Sequence, residues 1–408
     1  ADFIVRSAYQ VGKTPLLPIY AAALGAGDAF IGLIVSVSTI TGMMIKPFIG
    51  LLSDRHGRRS WLLIGTAFFT VMPFTYSFVE SQEHLFTVRI LHGMATAIYG
   101  PVTLAYVAEL SRFRQAERLG WFSIARNSGY VIGPGIGGLL LLHMDPVTIF
   151  TLIGILSSMA FIPVLLIQDG NNTGSIKRPS NLKHTFKELR TAVVTPIVWA
   201  TGGLAANGLL GIYAAKTFLP IHAMSIGINP AVTGGFFVLQ EGIHIVLSPA
   251  GGRFGDRIGH GIVTGIGLTL IGTSLALLAT ASTVQNLVVP AALMGIGQAF
   301  FFPSNLAMAS GGVEESNLGF SLGFLGSFRN VGKVAGPIIG GVLIRLLGFE
   351  SAFHLIGVVI IMTAVVIPLA RHTGFGIYRR GVSQQPESGD TKPRLVPDTV
   401  YKKLFDKT

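Results

Sequence analysis

Two stretches of the chain, "PFIGLLSDRHGRR" at 47–59 and "PAGGRFGDRIG" at 249–259, carry the same pattern of glycine, acid and arginine. Five residues of the first stretch recur in the second at a shift of 202: Pro47, Gly50, Asp54, Arg55 and Gly57. Long, nearly uncharged segments flank both stretches. This concentration of charge between apolar segments indicates polar loops at the ends of buried spans, and the shift indicates an internal repeat.

The composition of the chain excludes an ordinary soluble protein. Of its 408 residues, 50% are hydrophobic and 12% are charged, and the mean hydropathy is +0.62. Soluble domains carry about 25% charged residues, so this chain lacks the polar surface to cover its core in water. A lipid bilayer removes that requirement. The sequence contains no cysteine, which excludes disulfides and thiolate metal sites, and its histidines show no metal-binding spacing.

Twelve membrane spans are predicted, since each span needs about 20 mostly apolar residues. They cover residues 1–24, 29–51, 60–79, 84–107, 119–142, 146–168, 193–224, 230–251, 261–282, 285–309, 319–346 and 350–370.

The lysines and arginines predict the orientation of these spans. Of the 30, thirteen lie in the loops that follow even-numbered spans and eight in the C-terminal tail, whereas the odd-numbered loops hold only Arg345. Because positive charge collects on the cytoplasmic side, both termini are predicted to be cytoplasmic, in a bacterial inner membrane or its equivalent. The net charge of +11 is therefore a topology signal and does not indicate nucleic-acid binding.

The repeat extends through the whole chain. "RNSGYVIGPGIGG" at 126–138 recurs as "RNVGKVAGPIIGG" at 329–341. We expect an all-α membrane protein of two pseudo-symmetric six-helix bundles around a central cavity. The predicted boundaries are 1–168 and 193–371 for the bundles, 169–192 for a cytoplasmic linker and 372–408 for a cytoplasmic tail. An even number of spans per half makes the repeat parallel, as in transporters that rock two bundles around one site.

These motifs resemble those of the major facilitator superfamily, and the resemblance covers essentially all spans. The stretch 50–59 resembles the superfamily's signature loop between spans 2 and 3, although the second copy lacks the trailing arginines. "GYVIGPGIGG" (129–138), "PLLPIYAAALG" (15–25) and "VRILHGMATAIYGP" (88–101) resemble motifs of its drug:proton antiporter branch. The resemblance implies a proton-coupled efflux antiporter for small amphiphilic compounds, which works by alternating access without a cofactor.

The resemblance also assigns structural roles. It implies a conformational latch with span 11 at the signature loop, formed by Gly50, Asp54, Arg55, Gly57 and Arg58. The span-5 motif formally matches a dinucleotide-binding pattern, but that pattern must follow a strand, and here it lies inside an apolar span. Small residues at this spacing allow close helix contact. We therefore expect a tight joint between spans 5 and 8, formed by Gly129, Gly133, Pro134, Gly137 and Gly138.

Charged residues inside spans are the main functional candidates, since each costs about 2.5–3.5 kcal/mol or more at the bilayer centre. Four polar residues share one face of span 1: Asp2, Arg6, Tyr9 and Lys13. The repeat predicts that span 1 starts some ten residues before Ala1, which places Asp2 inside the membrane. An Asp2–Arg6 pair is either a proton switch or a static structural pair.

Two further spans carry candidate proton-coupling groups. Glu241 lies one turn from His244 in span 8. The helix packing that the resemblance implies would pair it with Arg126 of span 5, as a titrating pair or as a fixed link between the halves. Arg89 and His92 in span 4 match the motif that the resemblance associates with proton transfer.

The cations inside the spans outnumber the anions, which favours an anionic or zwitterionic substrate. The predicted cavity residues are Tyr9, Lys13, Arg126, Tyr213, Lys216, Gln298, Arg329 and Lys333. The alternative function is an organic-anion or anionic-lipid transporter that uses this basic cavity. An enzyme or sensor is disfavoured because the sequence shows no catalytic constellation. The expected partners are a small-molecule substrate and the lipid bilayer, and we expect a monomer.

Overall fold

The computed structural model describes residues 1–110, 115–166, 195–313 and 318–372, and within these ranges every regular element is helical. The predicted linker and the tail beyond residue 372 lie outside the described residues. The helices run over Asp2–Val11, Gly12–Leu16, Leu17–Ala23, Asp28–His56, Arg58–Phe74, Thr75–Phe78, Gln82–Leu110, Gln115–Leu140, Pro146–Ser158, Phe161–Leu165, Pro196–Ser225, Pro230–Ile258, His260–Ala279, Val284–Gly311 and Leu318–His372.

These helices account for all twelve predicted spans. In the described part of the chain, eight helical segments are long and apolar enough to cross a membrane. One of them, Ser321–Val365, contains both spans 11 and 12, because Gly348 (φ 79°) turns the chain within it. The eight segments therefore cover nine of the predicted spans. The remaining three, spans 1, 4 and 5, are helical over 2–23, 82–110 and 115–140.

The repeat is visible in the turns between helices. Gly25 (φ 80°) and Gly227 (φ 82°) end spans 1 and 7, and Gly57 (φ 86°) and Gly259 (φ 99°) end spans 2 and 8. Glycine suits these positions because a β-carbon disfavours positive φ. We call the end of the molecule with the turns at Gly57 and Gly259 the basic end, and the opposite end the far end.

The two halves meet at the far end through two equivalent contacts between small residues. A side chain at Gly138 of span 5 would place its Cβ 2.5 Å from the carbonyl oxygen of Pro230, where span 8 begins. At the equivalent contact, a side chain at Gly341 of span 11 would overlap the carbonyl oxygen of Asp28, where span 2 begins. Close backbone approach of this kind requires glycine. The two halves are therefore in close contact at the far end on both sides of the pseudo-symmetry axis.

Toward the basic end, spans 2 and 11 separate. At Gly32, near the far end of span 2, a Cβ would overlap the carbonyl oxygen of Pro337, and the Ser36 hydroxyl donates to the carbonyl of Val334 at 2.9 Å. Gly50 follows Gly32 by about five helical turns, so it lies on the same face. A side chain at Gly50 would meet no atom of the described residues within 4 Å. Among the described residues, spans 2 and 11 are thus in contact at the far end and apart at Gly50.

The span-5 motif has two packing faces, whereas the sequence predicted one joint with span 8. Gly133 packs on Gln10 of span 1, where a Cβ would lie 2.5 Å from the Gln10 Cβ, and Gly129 and Gly137 pack on the same span. Pro134 and Gly138 face span 8, and a Cβ at Gly234 would lie 2.5 Å from the Pro134 carbonyl oxygen. The division follows from helix geometry, because residues four apart share a face and adjacent residues do not.

Span 1 is interrupted at the depth of Lys13. The helix is broken within Gly12–Leu16, where Thr14 has extended dihedral angles (φ −146°, ψ 124°) and Pro15 cannot donate a backbone hydrogen bond. The interruption lies beside the central cavity described next.

Candidate functional site

A cavity of about 710 Å³ lies between the two halves and is lined by both of them. Its walls come from spans 1–5 on one side and spans 7, 8, 10 and 11 on the other. The lining includes all eight of the predicted cavity residues: Tyr9, Lys13, Arg126, Tyr213, Lys216, Gln298, Arg329 and Lys333.

The lining of the cavity is strongly cationic. Its acidic member is Glu241, whereas its basic members other than histidine number seven: Arg6, Lys13, Lys46, Arg126, Lys216, Arg329 and Lys333. The side chains of like charge repel one another, and low dielectric surroundings strengthen that repulsion. The cavity is therefore electrostatically suited to a ligand that carries negative charge.

Glu241 is held by two partners from its own half of the molecule. Lys216 Nζ of span 7 donates to Glu241 Oε1 at 2.7 Å, and His244 Nδ1 lies 3.1 Å from Oε2. The predicted pair with Arg126 was wrong. Tyr130, whose ring is 5.8 Å from Lys216 Nζ, reaches this depth from span 5, and Arg126 lies one turn nearer the basic end. Glu241 therefore links spans 7 and 8 and does not bridge the halves.

Three lysines surround one aromatic ring at the deep end of the cavity. Lys13, Lys216 and Lys333 place their Nζ atoms 5.4, 5.6 and 5.6 Å from the centre of the Tyr213 ring. Lys13 also lies 5.9 Å from the ring centre of Tyr9. Cation–π contact of this length attracts each ammonium group to the ring. Spans 1, 7 and 11 each supply one lysine, so the cluster joins both halves.

The polar face of span 1 lies along the cavity as its spacing predicts. Arg6, Tyr9 and Lys13 line the cavity, and Arg6 Nε donates to both Asp2 oxygens at 3.1 and 2.9 Å. Asp2 itself is 9% exposed and lies behind Arg6. The structure thus contains the predicted i, i+4 pair, and its role in proton coupling stays a prediction.

Arg89 and His92 are buried behind the cavity wall. Arg89 is 2% exposed and donates to the hydroxyls of Ser38 at 2.5 Å and Tyr76 at 3.3 Å. The Tyr76 hydroxyl is also 3.2 Å from Nδ1 of His92, whose ring lies edge-on to the cavity residue Tyr9 at 5.3 Å. No carboxylate of the described residues pairs with Arg89. The sequence did not indicate Ser38 or Tyr76 as its partners.

The remaining cavity wall combines amide and aromatic groups. Gln298 is 2% exposed and its Nε2 has no hydrogen-bond partner among the described residues, although it lines the cavity. The guanidinium of Arg329 lies 5.0 Å from the ring centre of Phe302. Sequence reasoning missed the lining residues Phe69 and Tyr130, because aromatic residues in spans are so often ordinary packing.

The predicted latch is described only in part. Gly57 forms the turn between spans 2 and 3, and no described atom lies within 4 Å of where a Cβ at Gly50 would be. The side chains of Asp54 and Arg55 lie outside the described part of the structure. Arg58 begins the helix of span 3.

Comparison with known proteins identifies the family. The sequence model of the Major Facilitator Superfamily matches residues 13–243 and 209–405. The chain is 28% identical over 374 residues to the quinolone resistance protein NorA of Staphylococcus aureus, which covers 88% of this chain and 92% of that protein. It is 25% identical over 360 residues to an uncharacterised MFS-type transporter of Methanocaldococcus jannaschii, with 86% and 92% covered.

Solved structures share the fold at low sequence identity. A bacterial homologue of the human lysosomal transporter Spinster, in an inward-facing and occupied conformation, superposes with a TM-score of 0.75 at 13% identity, covering 92% of this chain and 95% of that one. The nucleoside transporter NupG gives 0.69 at 17% identity, covering 90% and 96%. With twelve helical spans, a duplicated six-span unit and a central polar cavity, the chain belongs to the major facilitator superfamily and is a multi-pass membrane secondary transporter of small molecules.

Proposed function

We propose that this transporter is a proton-coupled exporter of small amphiphilic compounds that works by alternating access as a monomer. The observation that carries the proposal is the Glu241–Lys216 pair inside the central cavity. A carboxylate that a cation already holds can exchange that cation for a proton, and the exchange changes the charge of the cavity. The relative named for quinolone resistance supports export as the direction.

The structure corresponds to one of the two states that alternating access requires. The positive-inside rule supports the assignment of the basic end to the cytoplasmic side. On this assignment the cavity faces inward and the glycine contacts close the outside. The opposite state needs the far-end contacts to open and the basic end to close, with the signature loop, including Asp54 and Arg55, against span 11.

The exchange at Glu241 supplies the coupling. In the inward-facing state Lys216 and His244 hold the carboxylate in its charged form, so a proton carried from outside leaves to the cytoplasm. In the outward-facing state a proton replaces Lys216 as the partner of Glu241. Other charged or titratable groups lie on the helices packed against span 8: Lys13, Arg126, Tyr130, Tyr213 and His260.

The cationic lining of the cavity favours a second candidate, an organic-anion or anionic-lipid transporter. The two functions differ in the sign of proton linkage. A cationic group that binds Glu241 competes with protons, whereas an anion that draws Lys216 away leaves Glu241 free to take a proton. An exporter driven by inward proton flow requires that the ligand and the proton compete for Glu241, so that binding of one releases the other.

Proton release on ligand addition tests the proposal. A panel of cationic, anionic and zwitterionic amphiphiles is added to detergent-purified protein in weakly buffered solution, and the pH change is recorded. Ligands that carry a cation should release protons from those wild-type molecules in which a proton has replaced Lys216 on Glu241, and Glu241→Gln should abolish the signal. Asp2→Asn tests the other candidate carboxylate, and Glu83→Gln, at an exposed carboxylate on the far end, is the control. An unchanged signal in both Glu241→Gln and Asp2→Asn would contradict both assignments.

A further inference from the structure

We propose that Lys13, Lys216 and Lys333 form an anion-binding site around Tyr213 that holds the acidic group of a zwitterionic substrate while Glu241 holds its basic group. The inference rests on the proposed function and specifies its substrate class. It assigns the two ends of the substrate to separate parts of the cavity.

The three lysines of the cluster have fewer carboxylate partners among the described residues than they have positive charges. Lys216 pairs with Glu241, but Lys13 and Lys333 pair with no carboxylate of the described residues. All three ammonium groups lie within 5.4–5.6 Å of the centre of one ring, which attracts each of them but does not neutralise them. A carboxylate or phosphate beside Tyr213 would accept charge-assisted hydrogen bonds from two or three lysines. Such a ligand offsets the repulsion among the three ammonium groups.

Glu241 lies where it can bind the basic group of the same substrate. It is the acidic side chain in the cavity lining, and it is 7% exposed, so a ligand cation that reaches it is largely removed from water. Lys216 connects the two sites, because its Nζ is 2.7 Å from Glu241 Oε1 and 5.6 Å from the Tyr213 ring centre. When a ligand cation takes Glu241, Lys216 becomes the third donor to the ligand anion.

This exchange favours a zwitterion over either single charge. A purely anionic ligand draws Lys216 from Glu241 and leaves a buried carboxylate without its strongest partner, which is costly. A purely cationic ligand frees Lys216 and adds to the repulsion in the cluster. A zwitterion satisfies both sites and leaves the net charge of the cavity unchanged. Its apolar part can lie against the aromatic lining formed by Phe69, Tyr130 and Phe302.

Three fluorescent probes with one shared apolar group test the inference. Nα-dansyl-lysine carries a carboxylate and an ammonium group, dansylcadaverine is the same molecule without the carboxylate, and Nα-dansyl-norleucine lacks only the ammonium group. Their dissociation constants are measured by fluorescence titration of the purified full chain. Nα-dansyl-lysine should bind wild-type protein most tightly. Weaker or equal binding relative to either single-charge probe would overturn the proposal.

Substitutions locate the acidic group of the probe. Lys13→Gln and Lys333→Gln should each weaken Nα-dansyl-lysine by about tenfold or more, the loss expected for one charge-assisted hydrogen bond. Neither change should weaken dansylcadaverine, which has no carboxylate. Lys46→Gln removes an equal charge from the same cavity but away from the Tyr213 ring, and it serves as the matched control. Lys333→Arg keeps the charge and should retain binding, which separates loss of charge from a folding defect.

The outcomes separate this inference from the proposed function. If Lys13→Gln and Lys333→Gln weaken all three probes equally, or weaken Nα-dansyl-lysine no more than Lys46→Gln does, the anion site is overturned. Proton release by dansylcadaverine that disappears in Glu241→Gln would still support the exporter in that case. If no probe releases protons from wild-type protein, the proposed proton coupling fails, whereas the lysine effects remain a test of the anion site.

Discussion

Gly234→Ala should weaken closure of the far end, and the neighbouring Gly235→Ala provides a matched control. Both glycines lie in span 8. A Cβ at Gly234 would stand 2.5 Å from the carbonyl oxygen of Pro134 in span 5, whereas a Cβ at Gly235 would meet no atom within 4 Å in the part of the chain that the structure describes. Both changes gain the same helix propensity, about 1 kcal/mol, so their difference isolates the contact between the halves.

The size of the effect follows from the overlap. An ordinary contact to Cβ is about 3.4 Å or more, so spans 5 and 8 must move apart by roughly 1 Å, and overpacking of this kind typically costs about 1–3 kcal/mol. If the far end opens to relieve the overlap, the ratio of far-end-closed to far-end-open protein falls by about 5–150-fold relative to Gly235→Ala. Gly234→Ala should therefore shift the population toward the outward-facing state.

The absence of cysteine makes this population measurable with introduced spin labels. Asp28 and Arg345 line a cleft of about 450 Å³ at the far end, on spans 2 and 11. Spin labels at Asp28→Cys and Arg345→Cys report the separation of the halves when the distance between them is measured by pulsed electron–electron double resonance. Gly234→Ala should add a longer-distance population that Gly235→Ala lacks. Identical distance distributions in the two variants would refute the claim that the glycine contacts hold the far end closed.

Two further predictions concern stability, read by thermal unfolding in detergent. Tyr76→Phe removes the hydroxyl shared by Arg89 and His92 and should destabilise the protein by about 1–3 kcal/mol, because it leaves buried polar groups unpaired; an unchanged midpoint would show that this network is not stabilising. Asp145→Ala removes the cap of span 6, in which Asp145 accepts from the Thr148 backbone N–H at 2.9 Å, and should cost about 0.5–2 kcal/mol at neutral pH. The Thr148 hydrogen bonds lower the pKa of Asp145, so the folded pKa lies below the unfolded one. The cap's contribution is therefore full above the unfolded pKa and is lost as the pH falls through the folded pKa, and the wild-type and variant midpoints should converge in acid; a constant difference at all pH values would contradict this.

The sequence predicts the spans and much of the cavity because both depend on local patterns. Apolar length identifies the helices, and a shift of 202 residues relates the two halves. The spacing of Arg6, Tyr9 and Lys13 identifies the face of span 1 that lines the cavity. These features follow from helix periodicity and from the cost of placing charge in lipid.

Pairing across helices was predicted less well, because it depends on depth as well as on face. Glu241 pairs with Lys216, since the lysine reaches it from the neighbouring span 7 and Arg126 lies a turn too near the basic end. The Ser38 and Tyr76 hydroxyls that hold Arg89 belong to residue types common in any span. The lysine cluster around Tyr213 likewise requires the relative rotation of spans 1, 7 and 11, which one sequence does not supply.

Transport driven by a pH gradient across proteoliposomes measures directly whether proton flow through Glu241 drives export. With substrate outside and an acidic interior, inside-out molecules expose the basic end to the substrate, and Nα-dansyl-lysine should accumulate in the vesicles as protons leave. Glu241→Gln should abolish this accumulation, and Lys333→Gln should reduce it more than Lys46→Gln does. If Glu241→Gln transports at the wild-type rate under the same gradient, proton coupling does not depend on the Glu241–Lys216 pair of the central cavity.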